Sequence, residues 1–325
     1  MKIEESMDIN KIVDRLLNMK PDPIPEFVLL KEFKGCPPDS KEYKEAYKKV
    51  CNHSFVKKYE DSQNDRGFWP PFHGYTEGII RLLLSYGLDK NNNCLKRVKK
   101  SLLKALDNNE NWDQSEKQDN KRWWPEMFIP LVNAAMLSLI DKNNVNLNKH
   151  RKRWANFAEN SLSNGTYDFN IDSKQQNEHF GFITKHIIPP FNYYNLLLLS
   201  PNEDMNYIND STDQSLADYC INKAEGICYV YNNCPCDFVK IDVKNRDSRD
   251  FWHWIRALSL ISQFNGWSKY EQKYYDWILK QRNSDGLWEF PGKFDFAISN
   301  SWRGKNKIID STIYVLRLLS RKKTF

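Results

Sequence analysis

Two kinds of apolar pattern alternate along the chain. In one, apolar residues recur every three or four positions and leave a polar face: Leu147, His150, Trp154, Phe157, Ala158 and Leu162, then Trp267, Tyr270, Tyr274, Trp277 and Ile278. In the other, the stretches IIRLLLSYGL at 79–88, MFIPLVNAAMLSLI at 127–140 and FWHWIRALSLI at 251–261 are apolar almost all round. A helix with one apolar stripe covers a core, whereas one apolar on every side is enclosed by it. The spacing predicts outer helices over 42–60, 92–106, 147–162, 212–224 and 267–281. It predicts inner helices over 75–88, 126–141, 187–199, 250–264 and 308–321, with a helix near 9–20 helping to complete a sixth pair. This alternation suits an all-α domain built as an α/α toroid, a double ring of about six helix hairpins. An irregular bundle or an open solenoid would use the same hairpins.

A short phrase punctuates the pattern. QNDRGFW ends at Trp69, SLSNGTY at Tyr167 and RNSDGLW at Trp288, while DNNENW, ending at Trp112, and NKAEGICY, ending at Cys228 and Tyr229, are weaker copies. Successive copies lie about 43 to 61 residues apart, the length of two helices and their connections. The glycine has a local reason, since a helix that ends in a left-handed residue favours glycine there.

QNDRGFW matches the Q-x-x-x-G-x-W repeat of the squalene cyclase and protein prenyltransferase superfamily, and RNSDGLW resembles it with Arg282 in place of glutamine. The resemblance covers about residues 42–320, behind an N-terminal helical extension at 1–41, within one domain of 325 residues. It implies the α/α toroid fold and an enzyme acting on an isoprenoid or other apolar ligand in an aromatic-lined cavity. The D-x-D-D acid of terpene cyclases and the D-D-x-x-D pyrophosphate motif are both missing. Cys236, Asp237 and His253 have the residue types, though not the spacing, of the prenyltransferase zinc ligands.

In a toroid, each connection after a phrase opens at the same end, beside the N-termini of the inner helices. The connections 113–124, 168–186, 230–249 and 289–307 are long, and long loops at one end line or cap a site. Asp250 and His253, three apart, place carboxylate and imidazole on one helical face; the other reading is a first-turn acid and a core histidine. His73 and Glu77, four apart in FHGYTEGIIR, form a second candidate acid/base pair, with Thr76 as a cap and Glu77 as a first-turn carboxylate on the other reading. Asp310 is either an N-cap or an inward acid. Trp123, Trp124, Glu126, His179, His186, Tyr193, Arg249, Trp252 and Trp302 are the candidate substrate contacts. Their rings suit an apolar polyene, a carbocation or the flat face of a sugar.

Composition adds limits. Aromatic residues make up 14% of the chain against 12 glycines, enough for a ring-rich core. The net charge of +6 is spread along the chain, and its densest cluster, Lys96, Arg97, Lys99 and Lys100, reads as a solvated helix face, so nucleic acid is not an expected partner. Acidic residues Glu4, Glu5, Asp8 and Asp14 interrupt any leader, and no run of 18 apolar residues occurs, so the expectation is a cytoplasmic protein with no transmembrane segment. Seven cysteines suit free thiols. Cys228, Cys234 and Cys236 with His253 could make a zinc site of three thiolates and an imidazole, lone thiols being the other reading; no motif demands zinc or magnesium. A carbohydrate lyase or glycoside hydrolase on a six-hairpin barrel, and a non-catalytic ligand-binding toroid, remain as alternatives to the isoprenoid enzyme. Oligomeric state is not legible.

Overall fold

The computed structural model describes residues 8–108, 122–202, 205–222, 227–228, 233–234, 248–290 and 297–320, with backbone alone at 72, 108, 227–228, 233–234 and 248–253. These residues form helices α1 (Ile9–Asn18), α2 (Pro23–Val28), α3 (Lys41–Cys51), α4 (Ser54–Ser62), α5 (Glu77–Ser85), α6 (Asn93–Asn108) and α7 (Ile129–Ile140). They continue with α8 (Asn148–Ser161), α9 (Phe169–Phe180), α10 (Tyr193–Leu199), α11 (Asp210–Asn222), α12 (Ser248–Ile261), α13 (Glu271–Lys280) and α14 (Gly304–Leu319). One two-residue antiparallel pair, Ile227–Cys228 against Asn233–Cys234, is the sole extended pairing among the described residues, so the class is all-α. No helix among them is long and apolar enough to cross a membrane.

Three segments differ from the pattern reading, each for a local reason. The helix expected over 42–60 breaks at His53, whose Nδ1 accepts the Phe55 N–H at 3.2 Å and starts α4 afresh. The helix expected over 187–199 shrinks to α10, because Pro189 and Pro190 precede it and the Asn192 side chain caps it through the Tyr194 N–H. The connection 168–186 holds a helix, α9, capped by the Asp168 carboxylate on the Asn170 and Ile171 N–H groups and ended by left-handed Gly181.

The all-round apolar helices meet as their composition demands. Within α7 nearly every side chain is buried. α5 packs on α7, α7 on α10, α10 on α12, and α12 on α14. α14 packs on α2 and reaches back to the end of α5, where the Arg317 guanidinium donates to the Ser85 carbonyl at 2.8 Å. The same guanidinium makes two 2.8 Å bonds to Glu32, in the turn after α2, and Arg317 is fully buried.

The two strongest phrases fold alike. At Asn64–Trp69 the Asn64 N–H donates to the Phe68 carbonyl, the Asn64 side chain accepts the Phe68 N–H, and Gly67 closes the turn on the Asn64 carbonyl. Asn283, Gly286 and Leu287 repeat each bond. The indole N–H of Trp69 donates to the Tyr59 carbonyl at 2.7 Å, and that of Trp288 to the Ile278 carbonyl at 2.8 Å, each ten residues back. Both tryptophan backbones then bond a threonine hydroxyl of the next buried helical segment, Thr76 or Thr312. The phrase is thus a joint that pins the end of one helix to the next.

Both glycines are left-handed, at φ +78° for Gly67 and +73° for Gly286, but their surroundings differ. A Cβ at Gly67 would lie 2.9 Å from the Arg97 carbonyl oxygen, whereas at Gly286 it would meet open space. Gly286→Ala is therefore expected to cost about 1 kcal/mol from the backbone alone, and Gly67→Ala about 2–4 kcal/mol because α6 must also shift. Urea unfolding of the two variants checks this, and equal losses would contradict it.

Candidate active site

The π-helical turn Phe72–Thr76 precedes α5, and its backbone is irregular: His73 is extended and Gly74 left-handed at φ +86°. That kink turns the His73 ring back toward the first residue of α5. Its Nδ1 lies 2.7 Å from Glu77 Oε1, which also accepts the Gly74 N–H at 3.1 Å. The other carboxylate oxygen, Oε2, accepts the Tyr194 hydroxyl of α10 at 2.7 Å. Arg81, one turn along α5, donates to the Tyr193 hydroxyl at 3.0 Å. Glu77 and Tyr194 are buried, at 2% and 4% exposed, while the His73 side chain keeps 17%.

Burial alone would raise the Glu77 pKa, but bonds from His73 and Tyr194 and the charge of Arg81 outweigh it and hold the carboxyl below its usual range. Burial and the neighbouring carboxylate push the Tyr194 phenol well above its usual value, so it stays protonated and donates. A charged Glu77 fixes the proton of His73 on Nδ1, which leaves Nε2 as the basic nitrogen. The arrangement can orient a histidine and stabilise its protonated form.

Aromatic rings surround the imidazole. Trp124 and Phe128 meet it edge-on at centroid distances of 5.4 and 5.2 Å, and Tyr194 lies at 6.4 Å. Trp123 stacks on Phe128 at 5.2 Å and meets the His186 ring at 4.9 Å. The pair Trp123 and Trp124 therefore separates two imidazoles. The Trp124 Nε1–H is buried with no hydrogen-bond partner among the described residues. Glu126, on the same turn, is half-exposed and takes a two-pronged bond from Arg122, whose guanidinium lies over Phe182 at 4.5 Å.

Of the sequence candidates, His73, Glu77, Trp123, Trp124, His186 and Tyr193 come together here. His179 lies on α9 with its ring against Phe157 and Phe180, and burial lowers its pKa. Trp302 is half-buried against the core, in the segment just before α14. Asp310 is fully buried; its carboxylate accepts the Ile298 and Ser299 N–H groups at 3.1 Å and the Ser299 hydroxyl, anchoring the segment before α14 rather than facing a substrate. Arg249, Asp250, Trp252 and His253 have only their α12 backbone described, and Cys228 and Cys234 only their strand backbone. Cys236 and Asp237 lie outside the described residues. Among the described residues no group of three or more His, Cys, Asp or Glu is arranged to hold a metal ion. The partners that sequence reasoning did not assign are Arg81 and Phe128, of which Arg81, four residues past Glu77, left a spacing signal; nor did it pair Tyr194 with Glu77.

Burial pushes the Asp310 carboxyl up to about 7, from a usual value near 3.8. Folding thus favours its protonated form, and the stability that form supplies is lost as pH rises from about 4 through about 7. Asp310→Asn is expected to gain about 4 kcal/mol relative to the parent chain between pH 4 and pH 7. The comparison cancels other buried groups, including Asp172, raised to about 6, and His150, lowered to about 4. Urea melts across that range check it, and a pH-independent difference would contradict it.

A cavity of about 300 Å3 lies elsewhere, at the C-terminal ends of α5, α7 and α10, lined by Lys31, Ser85, Ser138, Lys142 and Ser200 among others. Its lysines cap helix ends, Lys31 on the Gly87 carbonyl and Lys142 on the Pro201 carbonyl, as cations do at the negative end of a helix. It contains no histidine.

No protein-family model matches the chain, and no curated protein and no solved structure matches it either, so the site's own geometry carries the functional argument.

Proposed function

We propose that the chain is a general acid–base enzyme on an α/α toroid of the squalene cyclase and prenyltransferase kind, with His73 as its base. The observation that carries this reading is the 2.7 Å contact between His73 Nδ1 and a buried, charged Glu77 that is itself held by Tyr194. A structural histidine needs no such support, whereas a base does, because the carboxylate fixes the tautomer and stabilises the imidazolium formed on proton uptake. The ring architecture is supported by the succession of contacts α5, α7, α10, α12 and α14, with Arg317 reaching back to Ser85.

On this reading the substrate is an isoprenoid or a similar apolar molecule. The faces and edges of Trp123, Trp124 and Phe128 would hold a carbocation or polyene. His73 would remove a proton from the carbon beside the cationic centre; the C–H electron pair becomes the new alkene bond and the proton goes to Nε2. Glu77 is not the acid that starts such a reaction, since it is held ionised. A second reading, proton abstraction beside the carboxyl of a uronic sugar, draws on the buried Trp124 N–H, which suits an oxygen acceptor. Turnover assays with a panel of prenyl diphosphates and neutral polyenes, and another of polyuronides, test the proposal. Product from one panel, lost in His73→Ala at unchanged melting temperature, is the expected result. No product from either panel, or turnover retained by His73→Ala, overturns it.

A further inference from the structure

Counted by element, the net charge falls largely on two helices rather than being spread evenly along the chain, as the sequence reading has it. α6 and α8 hold nine of the 48 Lys and Arg residues and only two of the 42 Asp and Glu, so these two helices carry net +7 within a chain of net +6. Everything else sums to −1. Of the nine cations, Lys99 is bound to Asp141 at 2.6 Å and Arg151 is buried against the Leu198 and Lys142 carbonyls. Lys96, Lys100 and Lys104 are exposed along α6 at four-residue steps, which places them on one stripe roughly 12 Å long, with exposed Arg97 beside it, three residues before Lys100. Lys149 and Lys152 are exposed one step apart on α8. The Lys149 ammonium donates to the Leu106 carbonyl at 3.1 Å, joining the first turn of α8 to the last of α6, so the two stripes form one field.

Among the described residues the acids near this face are already engaged or lie at its edge. Asp141 is shared by Lys90 and Lys99, Glu159 accepts the Asn209 N–H, Glu60 is paired with Lys57 while its carbonyl accepts from Arg97, and Asp107 sits at the far end of the α6 stripe. Neither helix exposes an aromatic ring on which a base could stack, and five of the six exposed cations are lysines, point charges rather than the planar forks that read nucleic acid. Val145, 74% exposed, projects from the turn that leads into α8 and packs on α6. A lysine field with one projecting apolar residue fits a flat anionic surface.

We propose that the α6 and α8 face docks the protein on an anionic phospholipid bilayer, lysine ammoniums against headgroup phosphates and carboxylates and Val145 at the headgroup boundary. This docking is independent of the chemistry at His73. Co-sedimentation of the full chain with vesicles of phosphatidylcholine alone, and of phosphatidylcholine with about 30% phosphatidylserine, tests it. Binding is expected to the anionic vesicles only, and to fall at least about 10-fold when salt rises from about 0.1 to about 0.5 M. Lys96→Glu with Lys100→Glu and Lys104→Glu should weaken binding at least about 50-fold. A control with the same net charge, Lys41→Glu with Lys44→Glu and Lys48→Glu on α3, should stay within about threefold, both triple variants keeping the parent's circular dichroism and melting temperature. Three outcomes overturn the proposal: no sedimentation with anionic vesicles, an equal loss in the α3 control, or tight binding to duplex DNA or RNA in fluorescence anisotropy without vesicle binding.

Discussion

Replacing Arg317 with methionine is expected to lower the unfolding free energy by about 3–5 kcal/mol. The guanidinium is fully buried and joins three segments far apart in sequence: Glu32 after α2, the Ser85 carbonyl at the end of α5, and its own helix, α14. Removing it leaves the Glu32 carboxylate, 17% exposed, without its countercharge, and the Ser85 carbonyl without its donor. The cost is largely that of the stranded carboxylate, so the pair should couple. Arg317→Met combined with Glu32→Gln should recover more than half of the loss. A double-mutant cycle by urea unfolding measures this. Additive effects, or a loss under about 1 kcal/mol in the single variant, would mean that the contact does not hold α14 to α2 and α5.

The second large effect is on catalysis. Once a substrate is in hand, His73→Ala should reduce kcat by about 10²–10⁴-fold with little change in KM, because a base acts in the transition state rather than in binding. Glu77→Gln keeps the size of the side chain and can still accept the Tyr194 hydroxyl, but it no longer fixes the His73 proton or balances an imidazolium. It should cost about 10–10³-fold in kcat and shift the acid limb of the rate profile to lower pH, since a neutral neighbour no longer favours protonated His73. An unchanged acid limb in Glu77→Gln would remove Glu77 from the mechanism. Tyr194→Phe, which removes one support of Glu77, should have a smaller effect in the same direction.

What could be read from the chain, and what could not, follows from the range of each signal. The phrase ending in Trp69 and Trp288 was legible because one backbone turn demands asparagine, a left-handed glycine and a buried indole at fixed offsets, all within six residues. The inner helices were legible because enclosure on every side leaves almost no polar position, as in α7. α9 was not: the sequence FNIDSKQQNEHF has too few apolar residues to show a stripe, and its only local marks are the cap at Asp168 and the glycine at 181. His73 and Glu77 were paired by spacing, but their geometry comes from the kink at Gly74 rather than from regular helical stacking. The bond from Tyr194 to Glu77 spans 117 residues and is set by the packing of helices α5, α7 and α10, which no local pattern encodes. Asp310 shows the converse. The sequence reads it at a helix start, as a cap or an inward acid, whereas α14 begins at Gly304 and Asp310 is its seventh residue, so it cannot be the cap; its role depends on the backbone of residues 298 and 299 folding over it.

The central claim, that Glu77 fixes His73 as a base through Nε2, is tested most directly by ¹⁵N NMR of histidine-labelled protein, with the His73 signals identified by their loss in His73→Gln. The expected result is that His73, in its neutral form, carries its proton on Nδ1 and reverts toward the ordinary Nε2–H tautomer in Glu77→Gln. A His73 ring protonated on Nε2 in the parent chain, or one whose tautomer is unchanged in Glu77→Gln, would contradict it.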